Sequence, residues 1–292
     1  MALNRQTFKT RTLTAAVFVL VMLAGLLWNY WSFFILFTII HFGCWSEYQK
    51  LVGLIDKEYL QITPFHKYGV RIAGWGIMIG FTANAFHLFG QQLHTLGWWM
   101  TLIIASLLVI IDLLFTRPIN LKNIGLSALG LLYISLCWGL MMDLRNQGVF
   151  FLGNSDLGWD FGRVIPCVLI FSIWINDTMA YIVGSFIGKH PLSKISPKKT
   201  WEGTVGGIFL AVAISGLVAW WIKIDRVEAM IIAAIASVTG TFGDLLESKL
   251  KRMANTKDSG HIMPGHGGFL DRFDSLLIAT PFVWLYVKLL MQ

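Results

Sequence analysis

Residues 257–290 read KDSGHIMPGHGGFLDRFDSLLIATPFVWLYVKLL, a charged and glycine-rich stretch that runs directly into an apolar one. Within residues 276–290 the only charged side chain is Lys288. An apolar run that extends from 269 to 290 matches the roughly 20 residues that a helix needs to cross a bilayer. The stretch therefore predicts a membrane-spanning helix with a polar site at its first turn.

The composition of the whole chain predicts an integral membrane protein. Of the 292 residues, 56% are hydrophobic and only 13% are charged, whereas soluble domains carry about 25% charged residues. Lipid offers no hydrogen bonds to an isolated strand, so we predict an all-α polytopic bundle. About nine transmembrane helices are expected, near residues 13–29, 31–46, 69–89, 96–115, 122–142, 163–187, 204–222, 227–248 and 269–290.

The basic residues predict the orientation of this bundle. Most of the 23 Lys and Arg residues fall in the N-terminal tail and in alternate loops. Because cytoplasmic loops carry an excess of Lys and Arg, we place the N-terminus in the cytoplasm and the C-terminus outside. This bias also accounts for the net charge of +7 without nucleic acid as a partner.

Ionisable residues divide the chain into two parts. The spans within residues 1–150 are nearly free of them, and we interpret this part as N-terminal transmembrane scaffold helices. Residues 151–292 hold most of the charged groups in their spans and inner loops. We interpret this second part as the catalytic region, with its polar loops on the cytoplasmic side.

The first polar cluster is WINDTMAYIVG, with Asn176 and Asp177 in or at the end of a span. A charged residue at the bilayer centre costs about 2.5–3.5 kcal/mol on insertion scales. Asp177 should therefore face protein or water. The pair predicts a functional site, and the alternative is a helix cap or a hydrogen bond between helices.

The second cluster is GKHPLSKISPKKTWEGTVGG, residues 188–207. Lysines, hydroxyl groups and a helix N-terminus together are suited to bind phosphate. The alternative is a basic anchor that contacts anionic lipid headgroups. That alternative explains the lysines but leaves Ser196, Glu202 and the glycines without a function.

The third cluster begins with GDLLESKLKRMANTKDSG, residues 243–260, and continues through the loop quoted first. Asp244 and Glu247 are three apart, as are Asp271 and Asp274, so each pair shares a helix face. The glycines allow the backbone to approach an anion closely. Carboxylates beside Lys and Arg suggest a divalent cation that holds phosphates, as Mg²⁺ does. The alternative is a set of structural ion pairs.

The stretch from Ser248 to Asp274 resembles the signature of the CDP-diacylglycerol synthases, also called phosphatidate cytidylyltransferases. The matching positions are Ser248, Lys251, Arg252, Lys257, Asp258, Gly260, Pro264, His266, Gly267, Gly268, Asp271, Arg272 and Asp274. Residues 176–207 are also similar to the family, whereas the first third of the chain matches only as membrane helices.

The resemblance implies the transfer of CMP from CTP to phosphatidic acid, which gives CDP-diacylglycerol and pyrophosphate. It implies a homodimer among membrane lipids, a Mg²⁺ requirement with K⁺ as a second candidate ion, and metal ligation by Asp244 and Asp271. The expected catalytic residues are Asp244, Asp271, Lys251 and Arg272. The expected substrate-binding residues are Asn176, Asp177, Ser196, Lys198, Lys199, Glu202, Ser248, Arg252, Lys257, Asp258, His266, Gly267, Gly268 and Asp274.

Two other functions are compatible with the pattern. A CTP-dependent enzyme that acts on an isoprenoid lipid would need a similar phosphate site. A cation-coupled transporter also carries intramembrane Asp and Asn, although the many basic groups beside the carboxylates disfavour a simple cation path. The compact length favours a bacterial inner membrane, with the active site facing the cytoplasm.

Overall fold

The computed structural model describes residues 5–115, 120–146, 161–260 and 267–291, and these residues are mostly helical. The α-helices are α1 (Arg5–Leu27), α2 (Tyr30–Ile55), α3 (Pro64–Gly80), α4 (Leu93–Phe115), α5 (Leu121–Gly130), α6 (Cys137–Asn146), α7 (Val164–Ile187), α8 (Trp201–Trp221), α9 (Arg226–Met253) and α10 (Leu270–Leu290). A π-helical turn, Leu131–Leu136, joins α5 to α6. The described part also contains 3₁₀ turns at Lys57–Gln61 and Phe161–Arg163, and a two-stranded hairpin of β1 (His87–Leu88) and β2 (Gln91–Gln92).

Six helices of the described part are long and apolar enough to cross a membrane. They cover Leu93–Asp112, Leu121–Asn146, Val164–Ile187, Trp201–Trp221, Arg226–Met253 and Leu270–Leu290. A shorter apolar helix covers Thr12–Leu27. The all-helical membrane class is thus confirmed, whereas the number of nine spans and the sides of the two termini stay predictions.

The span predicted at 69–89 begins and ends too late. Its helix, α3, starts at Pro64 and stops at Gly80, and the chain then turns into the short hairpin. Phe89 and Gly90 at the hairpin tip have φ angles of 51° and 77°. Residues with these left-handed φ angles cannot continue a right-handed α-helix, because they interrupt its backbone hydrogen bonds.

The chain forms two compact units. The first consists of Met1–Gly139 and Leu250–Phe273, and the second consists of Leu140–Lys249 and Asp274–Gln292. The stretch from Leu250 to Phe273, which holds most of the signature, therefore belongs with the N-terminal helices by its contacts. The functional division into a scaffold at 1–150 and a catalytic region at 151–292 stays a prediction.

The first unit has an aromatic core that also contains hydrogen bonds between buried side chains. The rings of Phe37 and Trp138 lie 5.1 Å apart, and Trp138 meets Phe273 at 5.8 Å. The Trp45 indole donates a hydrogen bond to Ser135 Oγ over 2.9 Å, and His41 Nε2 lies 3.0 Å from the same oxygen. Because Ser135 lies in the π-helical turn, this irregular turn is held by two side chains of α2.

A second buried network joins α3, α4 and α5. His66 contacts Asp112 through Nδ1 at 2.6 Å and Ser127 through Nε2 at 2.9 Å. The three side chains are connected in the same sequence, Ser–His–Asp, as in the catalytic triad of serine hydrolases. However, Ser127 is buried and its hydroxyl also bonds Tyr59 over 3.0 Å. The network therefore serves to hold three helices together.

Helices α7 and α8 of the second unit touch through their backbones. A Cβ atom at Gly207 would lie 2.8 Å from both Ala180 Cβ and the Asn176 carbonyl oxygen. A Cβ at Gly203 would lie 2.6 Å from the Ala180 carbonyl oxygen, and one at Gly206 would meet Val183 at 2.7 Å. Small residues allow such close helix contacts in membranes. Helix packing therefore explains these glycines, which the sequence alone associates with a phosphate site.

We expect Gly207→Ala to destabilise the protein, because backbone atoms of α7 cannot move away from the added methyl group. Overpacking of this kind costs about 1–3 kcal/mol. The control is Gly125→Ala on α5, where a Cβ meets nothing within 4 Å. It should preserve or raise stability, since Ala is up to about 1 kcal/mol better than Gly in a helix. Thermal unfolding in detergent measures both, and equal melting temperatures would contradict the close packing.

Candidate active site

The loop between α7 and α8 has a defined fold that presents Lys199. The amide of Leu192 donates to the Lys199 carbonyl over 2.7 Å, and the amide of Trp201 donates to the His190 carbonyl over 2.9 Å. A further bond of 3.1 Å links the Lys199 amide to the Ser196 carbonyl. These bonds close the loop on itself, so the position of Lys199 is set by backbone contacts.

Glu202, which was predicted to bind substrate, contacts this loop with both carboxylate oxygens. Oε2 accepts from the amides of Lys189 at 3.1 Å and His190 at 3.2 Å, and Oε1 lies 2.6 Å from His190 Nδ1. Thr200 caps α8 by accepting from the Gly203 amide over 3.1 Å. Glu202 thus anchors the loop in this structure, and its contact with a substrate stays a prediction.

Lys199 lies among three carboxylates of the second unit. Its Nζ is 2.6 Å from Asp244 Oδ2, and both side chains are partly buried. Burial opposes the charge of Lys199, but the charge of Asp244 and its hydrogen bond, together with the charges of Asp177 and Asp274, outweigh that effect. The pKa of Lys199 is consequently raised above its usual value. The structure therefore brings together four residues that the sequence predicted separately.

A close approach of α9 and α10 positions two of these carboxylates. A Cβ at Gly243 would lie 2.5 Å from the Asp274 carbonyl oxygen and 2.9 Å from Ser275 Cα. Asp274 is buried, and its Oδ1 accepts from the Ser275 amide over 2.7 Å. Because Asp244 follows Gly243 directly, this contact holds both acidic residues near the lysine loop.

Asn176 adds a buried oxygen that is available to a ligand. The residue is 3% exposed, and its amide nitrogen makes a long contact of 3.5 Å with Asp177 Oδ1. Within the described ranges its Oδ1 has no hydrogen-bond partner. A buried unsatisfied oxygen costs about 1–3 kcal/mol, so such atoms are typical of sites that a ligand completes.

In the first unit, Asp271 is held on both carboxylate oxygens. Oδ1 lies 2.7 Å from Lys251 Nζ. Oδ2 accepts from the amides of Ser259 at 2.9 Å and Gly268 at 2.8 Å, and the Ser259 hydroxyl lies 2.9 Å away. A carboxylate with this many donors has one fixed orientation. The predicted catalytic residues Lys251 and Asp271 are therefore in direct contact.

The glycines of the signature approach anions of the protein itself. Gly267 has a φ of 81°, which favours glycine, and a Cβ there would lie 2.6 Å from Asp271 Oδ2. A Cβ at Gly268 would lie 2.2 Å from both Glu47 carboxylate oxygens. Close approach of this backbone to an anion was predicted, and the anions in contact are Asp271 and Glu47. A role of the two glycines in substrate binding stays a prediction.

Glu47 is a residue of this region that the sequence analysis missed. It lies in α2, is 4% exposed, and accepts from the amides of Phe269 at 2.9 Å and Leu270 at 2.8 Å. The Ser259 hydroxyl donates to its Oε2 over 2.6 Å. Glu47 directly follows the apolar run predicted at 31–46. A carboxylate that is buried at such a place needs hydrogen-bond donors, and its position was the signal available in the sequence.

The remaining predicted residues differ in accessibility. The exposed ones are Lys198, Arg252, Lys257, Asp258 and Arg272, and the half-buried ones are Ser196 and Ser248. His266 lies outside the described residues. No group of three His, Cys, Asp or Glu side chains within the described ranges could hold a metal ion. Asp244 belongs to the second unit and Asp271 to the first, and their shared metal ion stays a prediction.

Comparisons with known proteins identify relatives along the entire chain. The profile of the cytidylyltransferase family matches residues 9–290. The chain is 31% identical over 288 residues to a phosphatidate cytidylyltransferase of Bacillus subtilis (strain 168), with 98% of each chain covered. It is 27% identical to one of Staphylococcus saprophyticus, covering 94% of this chain and 96% of the relative. A phosphatidate cytidylyltransferase of Synechocystis is 38% identical over 132 residues, covering 44% and 45% of the two chains.

We expect Lys199→Met to lower the melting temperature by a few degrees near pH 7, because three carboxylates lose their shared cation. The loss should shrink as the pH falls toward about 4, where carboxyl groups take up protons. In the unsubstituted protein the raised pKa of Lys199 keeps the ion pair intact at neutral pH. On the alkaline side, its contribution to stability is lost as the pH rises through that pKa.

Melting temperatures measured between pH 4 and 8 give the comparison. Lys198→Met is the control, since the neighbouring lysine is exposed and surface substitutions change stability by about 0.5 kcal/mol or less. Equal effects of the two substitutions at every pH would contradict the charge cluster.

Proposed function

This chain belongs to the cytidylyltransferase family, and we propose that it is a nucleotidyltransferase that transfers CMP from CTP to phosphatidic acid. The products are CDP-diacylglycerol and pyrophosphate. Full-length similarity to phosphatidate cytidylyltransferases supports this substrate pair. The reaction belongs to phospholipid biosynthesis.

The observation that carries the proposal is a local arrangement that occurs twice: a lysine in contact with an aspartate that was predicted to be catalytic. Lys199 pairs with Asp244 at 2.6 Å, and Lys251 pairs with Asp271 at 2.7 Å. A phosphate substrate needs cations, and each lysine supplies one that a neighbouring carboxylate already orients. Each pair thus places a lysine beside an aspartate that we propose as a metal ligand, where the lysine charge can offset that of a phosphate.

The reaction requires no covalent bond between the protein and its substrates. A phosphate oxygen of phosphatidic acid forms a bond to the α-phosphorus of CTP, and the bond from that phosphorus to the bridging oxygen of the β-phosphate breaks. Pyrophosphate leaves with that electron pair. Such a transfer depends on alignment and charge neutralisation. We assign charge neutralisation to Lys199 and Lys251, with Lys198, Arg252, Lys257 and Arg272 as further cations.

We propose Mg²⁺ as the cofactor, with Asp244 and Asp271 as ligands, and K⁺ as a second candidate ion. Carboxylate oxygens are the donors that Mg²⁺ prefers, and Mg²⁺ takes its other ligands from substrate and water. When bound, the ion would polarise phosphate oxygens and neutralise their charge. A ligand role also frees the lysines: an aspartate that binds a cation no longer needs its lysine partner. Lys199 and Lys251 could then turn toward phosphate oxygens.

We further propose that the enzyme is a homodimer in a bacterial inner membrane, with the site open to the cytoplasm. The six long apolar helices support residence in a membrane. The cytoplasmic orientation rests on the distribution of Lys and Arg. It also suits the substrates, because CTP is polar whereas phosphatidic acid keeps its acyl chains in the bilayer.

The lipid product tests this function directly. We expect purified protein with radiolabelled CTP, Mg²⁺ and phosphatidic acid in mixed micelles to form labelled CDP-diacylglycerol and release pyrophosphate in equal amounts. Isoprenoid alcohols and isoprenoid phosphates, offered in place of phosphatidic acid, should give no labelled lipid. Label transferred to an isoprenoid alone would overturn the choice of substrate.

We expect Asp244→Asn and Asp271→Asn each to lower kcat by at least about 100-fold, because a neutral amide binds a divalent cation weakly. The proteins should still insert into the membrane and assemble. The control is Asp56→Asn, which removes a carboxylate that pairs with Lys122 at 2.6 Å and should leave kcat unchanged. Steady-state rates at saturating substrates give the comparison, and full activity of either site variant would exclude that residue as a metal ligand.

A further inference from the structure

We propose that Glu47 of α2 is a positioning residue for this reaction, which holds the described parts of the loop before α10 (residues 254–260 and 267–269, here called the signature loop) and thereby the Asp271 carboxylate in the geometry that catalysis needs. The inference rests on the proposed function. Glu47 precedes the matched signature by about two hundred residues, and nothing in the resemblance assigns it a role. Its contacts on the first unit carry the argument.

The first observation is that backbone and hydroxyl donors surround the Glu47 carboxylate. Oε1 accepts from the Phe269 amide, and Oε2 accepts from the Leu270 amide and the Ser259 hydroxyl. Within the described ranges no Lys, Arg or His forms an ion pair with it. A buried charge of this kind is stable only while its donors stay in place. Glu47 and the loop therefore depend on each other.

The second observation is the place where these donors lie. Leu270 is the first residue of α10, and the first amides of a helix have no acceptor inside the helix. A carboxylate at this end is favoured by the unpaired amides and by the helix dipole. Glu47 therefore caps α10 from another helix, immediately before Asp271. The capping contact fixes the first turn of α10, which carries that aspartate.

The third observation is a direct link through Ser259. Its hydroxyl lies 2.6 Å from Glu47 Oε2 and 2.9 Å from Asp271 Oδ2. A hydroxyl has one hydrogen to donate, and Asp271 Oδ2 already accepts from two amides. The hydrogen therefore goes to Glu47 at the shorter distance. Glu47 thus orients the Ser259 hydroxyl, while the Ser259 amide donates to Asp271.

The fourth observation is that the backbone is shaped around Glu47. A Cβ at Gly260 or at Gly268 would lie 2.2 Å from a Glu47 carboxylate oxygen. One turn earlier on α2, a Cβ at Gly43 would overlap the Phe269 ring at 2.3 Å. Three glycines therefore leave the space in which α2 and the loop meet. This fit explains why the carboxylate reaches the backbone of the loop.

The experiment compares full-length Glu47→Gln with the unsubstituted protein by enzyme kinetics and by hydrogen–deuterium exchange. The glutamine keeps the size of the side chain but replaces one acceptor oxygen by an NH₂ group, which cannot accept a hydrogen bond from the donors that it faces. We expect kcat for CDP-diacylglycerol formation to fall about 10- to 100-fold, the range for residues that orient a metal ligand. The KM for CTP should change less than kcat. Hydrogen–deuterium exchange should accelerate in peptides that contain Ser259, Phe269 and Leu270.

Two further variants separate positioning from general stability. Gln49→Leu is the matched control, because Gln49 is also in α2, is also 4% exposed, and bonds Lys67 and Arg71 instead of the loop. It should lower the melting temperature without changing kcat or the exchange of the loop. Glu47→Asp keeps the charge but is one methylene shorter, and it should impair kcat as Glu47→Gln does.

Each outcome decides between the possibilities. Slower turnover together with faster loop exchange in both Glu47 variants supports positioning. Unchanged exchange of the loop, or faster exchange with an unchanged kcat, overturns it and leaves Glu47 a structural residue. The unsubstituted protein is measured alongside: if it forms no CDP-lipid at all, the proposed function fails first, and this inference fails with it.

Discussion

A carboxylate that enters a hydrophobic bundle must meet hydrogen-bond donors or a cation, and this constraint organises the polar parts of the protein. Three buried or partly buried acidic residues have different kinds of partner. Asp244 pairs with Lys199, Asp271 receives both a lysine and backbone amides, and Glu47 receives amides and a hydroxyl. Because the partners are fixed by the backbone, the acids order the loops that would contact substrate.

The parts of the structure that the sequence predicts well are those that depend on neighbouring residues. Apolar runs identify the long helices. The contact of Lys251 with Asp271 agrees with the alternative of structural ion pairs, and the catalytic role of the two residues stays a prediction. The cap by Glu47 was not predictable in this way, since its donors are 212 to 223 positions away along the chain. An acidic residue at the end of an apolar run is a sign of such a distant partner, although it does not say which residue that partner is.

Glycines illustrate why the same residue type can mislead. Gly203, Gly206 and Gly207 follow a lysine-rich loop, and that context favours phosphate binding. Their contacts instead are with Ala180 and Val183 on the neighbouring helix. Gly267 and Gly268 do approach anions, as the sequence indicates, but those anions are side chains of the protein. Only the identity of the atoms opposite the missing Cβ distinguishes a packing glycine from a binding one.

The contact between α7 and α8 has a consequence for how the lysine loop can move. At these glycines the α8 backbone packs directly against α7 without an intervening side chain. The two helices therefore cannot slide past one another in small steps. A shift of one residue would drive the side chain of Thr204 or Val205 into the space now free at a glycine. Helices α7 and α8 are therefore fixed in register. Any movement of Lys199 toward an incoming nucleotide must come from rotations within its side chain and from the loop that carries it.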